Sequence, residues 1–398
     1  MKISPPELQI RSEISEYGCI SFARFMDLAL YHPDGGFYTQ AYRKPYTEDF
    51  YTSPVTHPSF GALITLQIFH FWEILGSPKN FIILEIGSGR GELADVIEHT
   101  SRQLPNDFYT SIEYIKFDKL LDPHLELNQK FPQQITGCIL SNELLDSFPV
   151  HRFEITNDGP KEICVTVDKN DRLVETLSEI TETNMISYIK LFGNGLNIGS
   201  QGEVNLELKK WVKMISNILS KGFVLTIDYG YEKNELSQNK ISSGTLQTYR
   251  NHCNGFSTLS KIGETDITSN VNFTYLNEIT LNHGFNTIQM INQKTFLESL
   301  GFNNLLERLR NLNIPRQELM QNQFSMLELT STKGFGEFKV LIQEKDTFTI
   351  NKDLENKKKK FTSDLIDVPL MNKSNIDLLS AKYPHSNWQP NSYESFYQ

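Results

Sequence analysis

Apolar positions along the chain repeat in two registers. Between residues 7 and 31 they recur every three to four positions. In Ile20-Ser-Phe-Ala-Arg-Phe-Met-Asp-Leu-Ala-Leu30, the side chains of Phe22, Phe25, Met26, Ala29 and Leu30 share one face. That spacing predicts an amphipathic helix with Ser21 as its N-cap. Asp34-Gly35-Gly36 stops it, and a second helix is predicted from Phe60 through Trp72. Short strand-like runs with apolar cores follow: Phe81 to Leu84, Glu113 to Asp118, Gly137 to Leu140 and Lys221 to Gly230. Such runs are the pattern of strands buried on both faces. Helical stretches lie among them, at Glu92 to Ile97, at 202 to 219 around Trp211, at 274 to 283, and from Thr295 to about Met326. Phe285 to Ile291 and Phe335 to Ile342 read as two final strands. His151 to about Ser178 alternates, with turns at Asn157-Asp-Gly-Pro160 and Lys169-Asn-Asp171, which predicts an inserted antiparallel meander. Strands alternating with helices define an α/β fold with a mainly parallel sheet.

At 398 residues the chain can hold two or three structural units or one elaborated α/β domain. A net charge of −10 gives no basic field to draw in nucleic acid. Four scattered cysteines with no C-x-x-C point away from a zinc site or a disulfide framework and toward a reducing compartment. No apolar run reaches membrane-spanning length, and the N-terminus has neither an apolar nor an arginine-rich leader pattern. A cytoplasmic protein is the expectation. After about residue 345 the composition shifts to Lys357–Lys360 and a tail of Asn, Ser, Tyr and Pro, which reads as a weakly ordered extension.

The chemistry is carried by Phe81-Ile-Ile-Leu-Glu-Ile-Gly-Ser-Gly-Arg-Gly91, a strand, a glycine turn and a helix start. Glycine lets backbone approach a ligand closely, and a helix N-terminus adds unpaired N–H groups. A dinucleotide fingerprint needs a third glycine five positions after the first, where this chain has Glu92. The spacing is E-x-G-x-G-x-G, which resembles motif I of the class I methyltransferases that bind S-adenosylmethionine (SAM). Glu85, Gly87, Gly89 and Gly91 are the first candidate cofactor residues. Asp118, ending the second strand, is the candidate for the ribose hydroxyls, with Asp122 as alternative. Asn142 and Glu143 follow the third strand, at the edge where parallel sheets bind ligands. Asp146 and Asp228 lie nearby in pattern. For Asp146 a helix-capping role competes with a site role, and for Asp228 a loop-ordering role does.

An ordered set of segments then carries a family resemblance. Ile20-Ser-Phe-Ala-Arg-Phe-Met with Tyr31-His-Pro-Asp-Gly-Gly-Phe-Tyr38 comes first, then Asp49-Phe-Tyr-Thr-Ser-Pro54 with Phe60-Gly61. Glu85–Gly91, Asn142-Glu-Leu-Leu-Asp146 with Phe148-Pro149, and Asp228-Tyr-Gly-Tyr231 follow. Gly244-Thr-Leu-Gln-Thr-Tyr249, Gly263-Glu-Thr-Asp-Ile-Thr268 and Gly336-Glu-Phe-Lys-Val-Leu341 complete it. Over residues 12 to 343 the chain resembles the MidA-type methyltransferases, the family of mitochondrial complex I assembly factor 7. Val55, Ala62 and Asn272 stand where that pattern usually has acids. The resemblance implies a class I fold, a Rossmann-like seven-stranded sheet, with a helical N-terminal part at 1–80. The core would be 81–150, 202–230 and 285–345, with an α+β cap at 151–201 and 231–330. It implies SAM as cofactor, no metal, and Thr52, Ser53, Glu85, Gly87, Gly89, Asp118 and Asn142 around it. It implies a protein substrate methylated on arginine, in mitochondrial members a complex I core subunit, and the mitochondrial matrix as location if the source is eukaryotic. A homodimer is compatible with the sequence. Glu143, Asp146 and Asp228 are the carboxylates expected to hold and activate a guanidinium, which binds carboxylates as a fork. Two other classes fit the sequence less well: a SAM-fold assembly protein without turnover, and a nucleotide-dependent oxidoreductase.

Overall fold

The computed structural model describes residues 3–41, 51–118, 133–193, 195–233, 235, 243–250, 253–255, 257–347, 363–373 and 375–376. Among them six strands form the main sheet. They are β1 Phe81–Ile86, β2 Ile112–Phe117, β3 Ile135–Asn142, β4 Leu219–Asp228, β5 Asn286–Asn292 and β6 Lys339–Lys345, in the order β5-β6-β4-β3-β1-β2. The strands β2, β1, β3 and β4 run parallel, and β6 lies antiparallel between β4 and β5. Seven strands were expected. The stretch after β2, with Asp122, lies outside the described residues, as do Asp49, Phe50 and Lys357–Lys360.

The central strands β1, β3 and β4 are largely apolar because both faces are covered, whereas β2, at the edge, carries the exposed Glu113 and Lys116. Phe81, Ile83, Cys138, Leu140, Phe223, Leu225 and Val340 face the helix Ser59–Ile74 and the helices of residues 293–328. Their neighbours Leu84, Ile86, Ile139, Val224 and Leu341 turn to the opposite side, against Trp211 and Phe273. The insert after β5 carries Phe296, Leu297, Leu305 and Leu309 into that first layer. Residues 273–328 therefore belong to the main core, on both faces of the sheet and in it, and the segment grouped as a cap over 231–330 divides near Asn272. Ala62 sits fully buried in the same layer, and Asn272 caps the helix Phe273–Leu281 by accepting from the Tyr275 N–H.

A second, antiparallel sheet joins Ile20–Ser21, His151–Thr156, Gly159–Val167, Leu173–Ser178 and Gln201–Val204. Residues 202–204 were expected to open a helix, and with Gln201 they form a strand. They pair instead with His151–Glu154, and the helix starts at Glu207. The helices Pro5–Tyr17 and Phe22–Tyr31 pack on this sheet through Ile10, Phe22, Phe25 and Met26, with Val165 and Ile267 opposite. The N-terminal part thus splits: its first two helices join the inserted sheet, while Ser59–Ile74 joins the main core. This second unit meets the main sheet at the carboxyl ends of β3 and β4. Tyr31 donates to Ser147, the Ser269 N–H to Asp146 O, and the Val271 N–H to Tyr229 O.

The tail is only partly as expected. Among its described residues, Ile366 is buried in the main core and Met371 is nearly so. Arg308 donates to the carbonyls of Ser363 and Ile366 at 2.7 and 2.8 Å. Two isolated apolar residues make no period, yet both find burial. Truncation after Lys345 is therefore expected to cost about 2–5 kcal/mol. Urea denaturation checks this, and an unchanged midpoint would show that the docking contributes nothing.

Candidate active site

The first wall of the site is the turn after β1. Gly87, Gly89 and Gly91 all have left-handed φ, at 79°, 53° and 95°. The Gly87 and Ser88 N–H groups donate to Phe117 O, and the Gly89 N–H donates to Asp118 Oδ2 at 2.7 Å. The turn is thereby fastened to the end of β2, where Asp118 was expected. A Cβ at Gly87 would come within 2.9 Å of Leu144, and one at Gly91 within 2.8 Å of Lys116. At Gly89 the nearest atom would be 3.7 Å away. Gly87 is thus needed for packing; at Gly91 the neighbour is the flexible end of Lys116, and the φ of 95° is what favours glycine; Gly89 borders open space. Glu85 points from β1 toward β2 and accepts from the Tyr114 hydroxyl at 2.9 Å. Burial pushes its carboxyl up to about 8.

The second wall follows β3, one strand over, where the strand order reverses direction. Open α/β sheets bind ligands at that switch point. Glu143 has φ 50°, a left-handed conformation costly for a side-chain-bearing residue, and its N–H is held by Ile227 O. Its Oε1 accepts from the Ser53 N–H at 3.0 Å and from Asn142 Nδ2 at 2.9 Å. Its Oε2 has no hydrogen bond among the described residues. Glu143 is half-buried. Burial pushes its carboxyl up to about 7, against the opposing pull of Ser53 and Asn142.

Asp146 is buried beside the Tyr229 phenol, whose contact favours its ionised form, and among the described residues its Oδ1 has no hydrogen-bond partner of good geometry. Burial raises its carboxyl too. Asp228 is different. Its Oδ2 accepts from the N–H groups of Leu144, Leu145 and Asp146, at 3.2, 2.8 and 3.4 Å, and its Oδ1 from Tyr229 N–H at 2.9 Å. Both oxygens are spent on backbone, so Asp228 orders the loop carrying Asp146.

Thr52 and Ser53 lie at the start of a short helical turn, Ser53–Thr56, brought against Glu143. The Ser53 hydroxyl is 3.3 Å from the Gln293 amide, and Gln293 is fully buried. The helices Phe22–Tyr31 and Phe37–Ala41 and the strand Asp266–Thr268 bring further acidic and aromatic groups together. Tyr31 and Tyr38 stack at 5.4 Å, and the Tyr38 hydroxyl donates to Asp266 Oδ1 at 3.0 Å. The phenol of Tyr249 is raised by burial and by the charges of Asp266, Asp146 and Glu143 together. Gln293, Tyr38 and Asp266 were missed from the sequence as site residues. Tyr38 and Asp266 stand in the resembling segments, which was the signal available for them, while Gln293 gave none.

Three buried polar atoms fit a bound cofactor: among the described residues Ser88 Oγ, Asn142 Oδ1 and Asp146 Oδ1 have no hydrogen-bond partner. Buried polar groups are nearly always hydrogen-bonded, so such atoms around an open glycine turn fit a polar ligand. Parallel strands in the order β2-β1-β3-β4, closed by antiparallel β6, with this turn after β1, make a class I methyltransferase. The chain belongs to the family described as "Putative S-adenosyl-L-methionine-dependent methyltransferase", whose model matches residues 63–291. SAM is therefore its cofactor.

Relatives extend the comparison. The chain is 22% identical over 361 residues to the mitochondrial protein arginine methyltransferase NDUFAF7 homolog of Drosophila melanogaster, covering 80% of each chain. It is 24% identical over 364 residues to the mitochondrial protein arginine methyltransferase NDUFAF7 of Homo sapiens, covering 80% of this chain and 79% of that one. A Burkholderia thailandensis protein crystallised with S-adenosyl-homocysteine shares the fold, with TM-score 0.73 and 22% identity, over 85% of this chain and 91% of that one. No described helix is long and apolar enough to cross a membrane.

Proposed function

We propose that the protein methylates arginine on a partner protein. The observation that carries this reading is Glu143. Among the described residues its Oε2 has no hydrogen bond, it stands at the sheet's switch point, and its charge acts together with those of Asp146 and Asp266 on the Tyr249 phenol. An enclosure lined by acids and phenols favours a cationic acceptor, and guanidinium is the side-chain cation whose donors match a carboxylate edge to edge. The names of the relatives support the same acceptor. A respiratory complex I core subunit is the substrate implied by the family resemblance.

In this reading Gly89, Asp118 and Asn142 border the cofactor, Thr52 and Ser53 close over it, and Glu85 holds the glycine turn's strand in place. Bound SAM supplies an electrophilic methyl group. Glu143 Oε2 accepts one N–H of the guanidinium and fixes the plane of the fork. One acceptor nitrogen gains the methyl and loses a proton, which Asp146 Oδ1 is placed to take. Most of the catalysis is then positioning and charge. The inserted sheet covers the carboxyl edge and keeps water out. The test is methylation of arginine-containing partner proteins by purified protein, with the modified residue mapped by mass spectrometry; lysine or no product overturns the reading.

A pH dependence follows. The acceptor stays cationic throughout, so kcat/KM rises as Glu143 ionises, with a midpoint near 7 in the free enzyme. One ionisation there makes the value at pH 6 about tenfold below that at pH 8. The stability effect has the opposite sign. A carboxyl raised in the folded state stabilises fully below its unfolded pKa, and that stability fades as pH rises through 7. Activity profiles flat from pH 6 to 8 would remove Glu143 from acceptor binding.

A further inference from the structure

The turn Ser53–Thr56 is too short to hold itself. Four residues close a single helical turn, far below the length at which a helix is stable alone. Its N-cap residue, Thr52, makes no side-chain cap bond. Its amino end is spent on Glu143 through the Ser53 N–H. What fixes its carboxyl side is the other end of the chain. Asn375 Nδ2 donates to Val55 O at 2.9 Å, across 320 residues of sequence. One step further, His57 Nε2 meets Asn322 Oδ1 at 3.0 Å, and the same oxygen accepts the Met371 N–H at 2.7 Å. His57 Nδ1 accepts from Ser59 N–H, so Nε2 carries the proton and the ring is neutral.

The segment that reaches the turn is itself anchored. Ser363 Oγ bonds Gly301 O and Asn304 Oδ1, Arg308 grips two carbonyls, and Ile366 is buried. Near its tip, Asn372 and Asn375 cap each other, each side-chain Oδ1 accepting from the other's N–H at 3.0 and 3.1 Å. An anchored arm with a rigid tip on the turn can transmit position; a loose tail cannot.

We propose that residues 363–376 form a strap that positions the Ser53–Thr56 turn, and through the Ser53 N–H the Glu143 carboxylate, with Asn375 as the positioning residue. The link to Glu143 rests on the methyltransferase reading above; the link to the turn does not. Val55 takes part through its carbonyl, which any residue at that position would offer. The groups facing Glu143 are Ser53 and Asn142, which favour its ionised form, and Asp146 and Asp228, which oppose it, with the Tyr249 phenol beyond. Loosening Ser53 removes one of the two favourable partners.

The experiment uses the full chain carrying Asn375→Asp, which keeps an acceptor for Asn372 and loses the donor to Val55. Ser363→Ala, at the far anchor, is the control. Amide hydrogen exchange in residues 51–57 should quicken about fivefold in Asn375→Asp, the worth of one hydrogen bond, and little in Ser363→Ala. Exchange in residues 81–91 should stay unchanged in both. The pH midpoint of acceptor kcat/KM should move upward in Asn375→Asp only. Unchanged exchange in Asn375→Asp overturns the strap, and equal quickening in both variants overturns the role of Asn375. Quickened exchange with an unmoved midpoint overturns the link to Glu143. Failure of the parent to methylate arginine overturns the acceptor reading instead, and exchange still decides the strap.

Discussion

Glu143→Gln should nearly silence methyl transfer while leaving SAM affinity almost intact. The substitution keeps shape and keeps an oxygen for the Ser53 N–H and the Asn142 amide at Oε1. It removes the charge that would pair with a guanidinium at Oε2 and puts donors where an acceptor is needed. Losing a charge-assisted pair in a closed site costs on the order of 2–4 kcal/mol in the transition state. That corresponds to a rate drop of roughly thirtyfold to thousandfold. Single-turnover methylation beside calorimetric SAM binding separates the possibilities. Full activity in the variant takes Glu143 out of the acceptor site. Parallel loss of binding and activity assigns it to the cofactor. A parent that binds SAM and transfers nothing supports a SAM-fold assembly protein.

Gly89→Val should abolish SAM binding with the fold preserved. The site of a Cβ at Gly89 is open, its nearest neighbour the flexible Glu92 carboxylate at 3.7 Å, so the branched side chain displaces no protein atom. It fills the space that the cofactor must share with the turn. The φ of 53° adds strain for a β-branched residue, on the order of 1–2 kcal/mol, which most domains survive. Circular dichroism and the thermal midpoint report the fold; calorimetry reports binding. A variant that binds SAM like the parent would move the cofactor away from Gly89. Gly87 is the poorer test, because Leu144 stands 2.9 Å from its Cβ position and misfolding would mimic loss of binding.

What the sequence displayed well was whatever a short window determines. Phe81–Leu84 with three glycines, and Gly137–Leu140 with Asn142 and Glu143, each combine a strand and its terminal residues within a dozen positions. They fell where expected, on adjacent strands at the switch point. Roles that depend on distant partners were not displayed. Asp228 reads as a strand-end acid, and only the three-dimensional loop reveals three N–H groups from residues 144–146 closing on one oxygen. Tyr38 meets Asp266 across 228 residues, and Ser53 meets Gln293 across 240. Residues 202–204 merged into a helical period because strand pairing leaves no mark on the strand's own sequence once it is this short. Ile366 and Met371 gave no periodicity at all, since an arm that docks by single anchors needs none.

The inserted sheet has a consequence for how the molecule is made. Ile20 pairs with Val165, Ser4 reaches the carbonyl of Ile262 across 258 residues, and Asn375 closes on Val55 across 320. Loops of that size close slowly, and folds built on them cross their barrier late. During synthesis the helices Pro5–Tyr17 and Phe22–Tyr31 emerge first and must wait, their apolar faces uncovered, for strands made more than a hundred residues later. Exposed surface of that kind attracts holding chaperones and aggregation partners. Asp266 is made long after the glycine turn, so a chain that ends before it carries that turn and a nascent sheet without the acid that meets Tyr38.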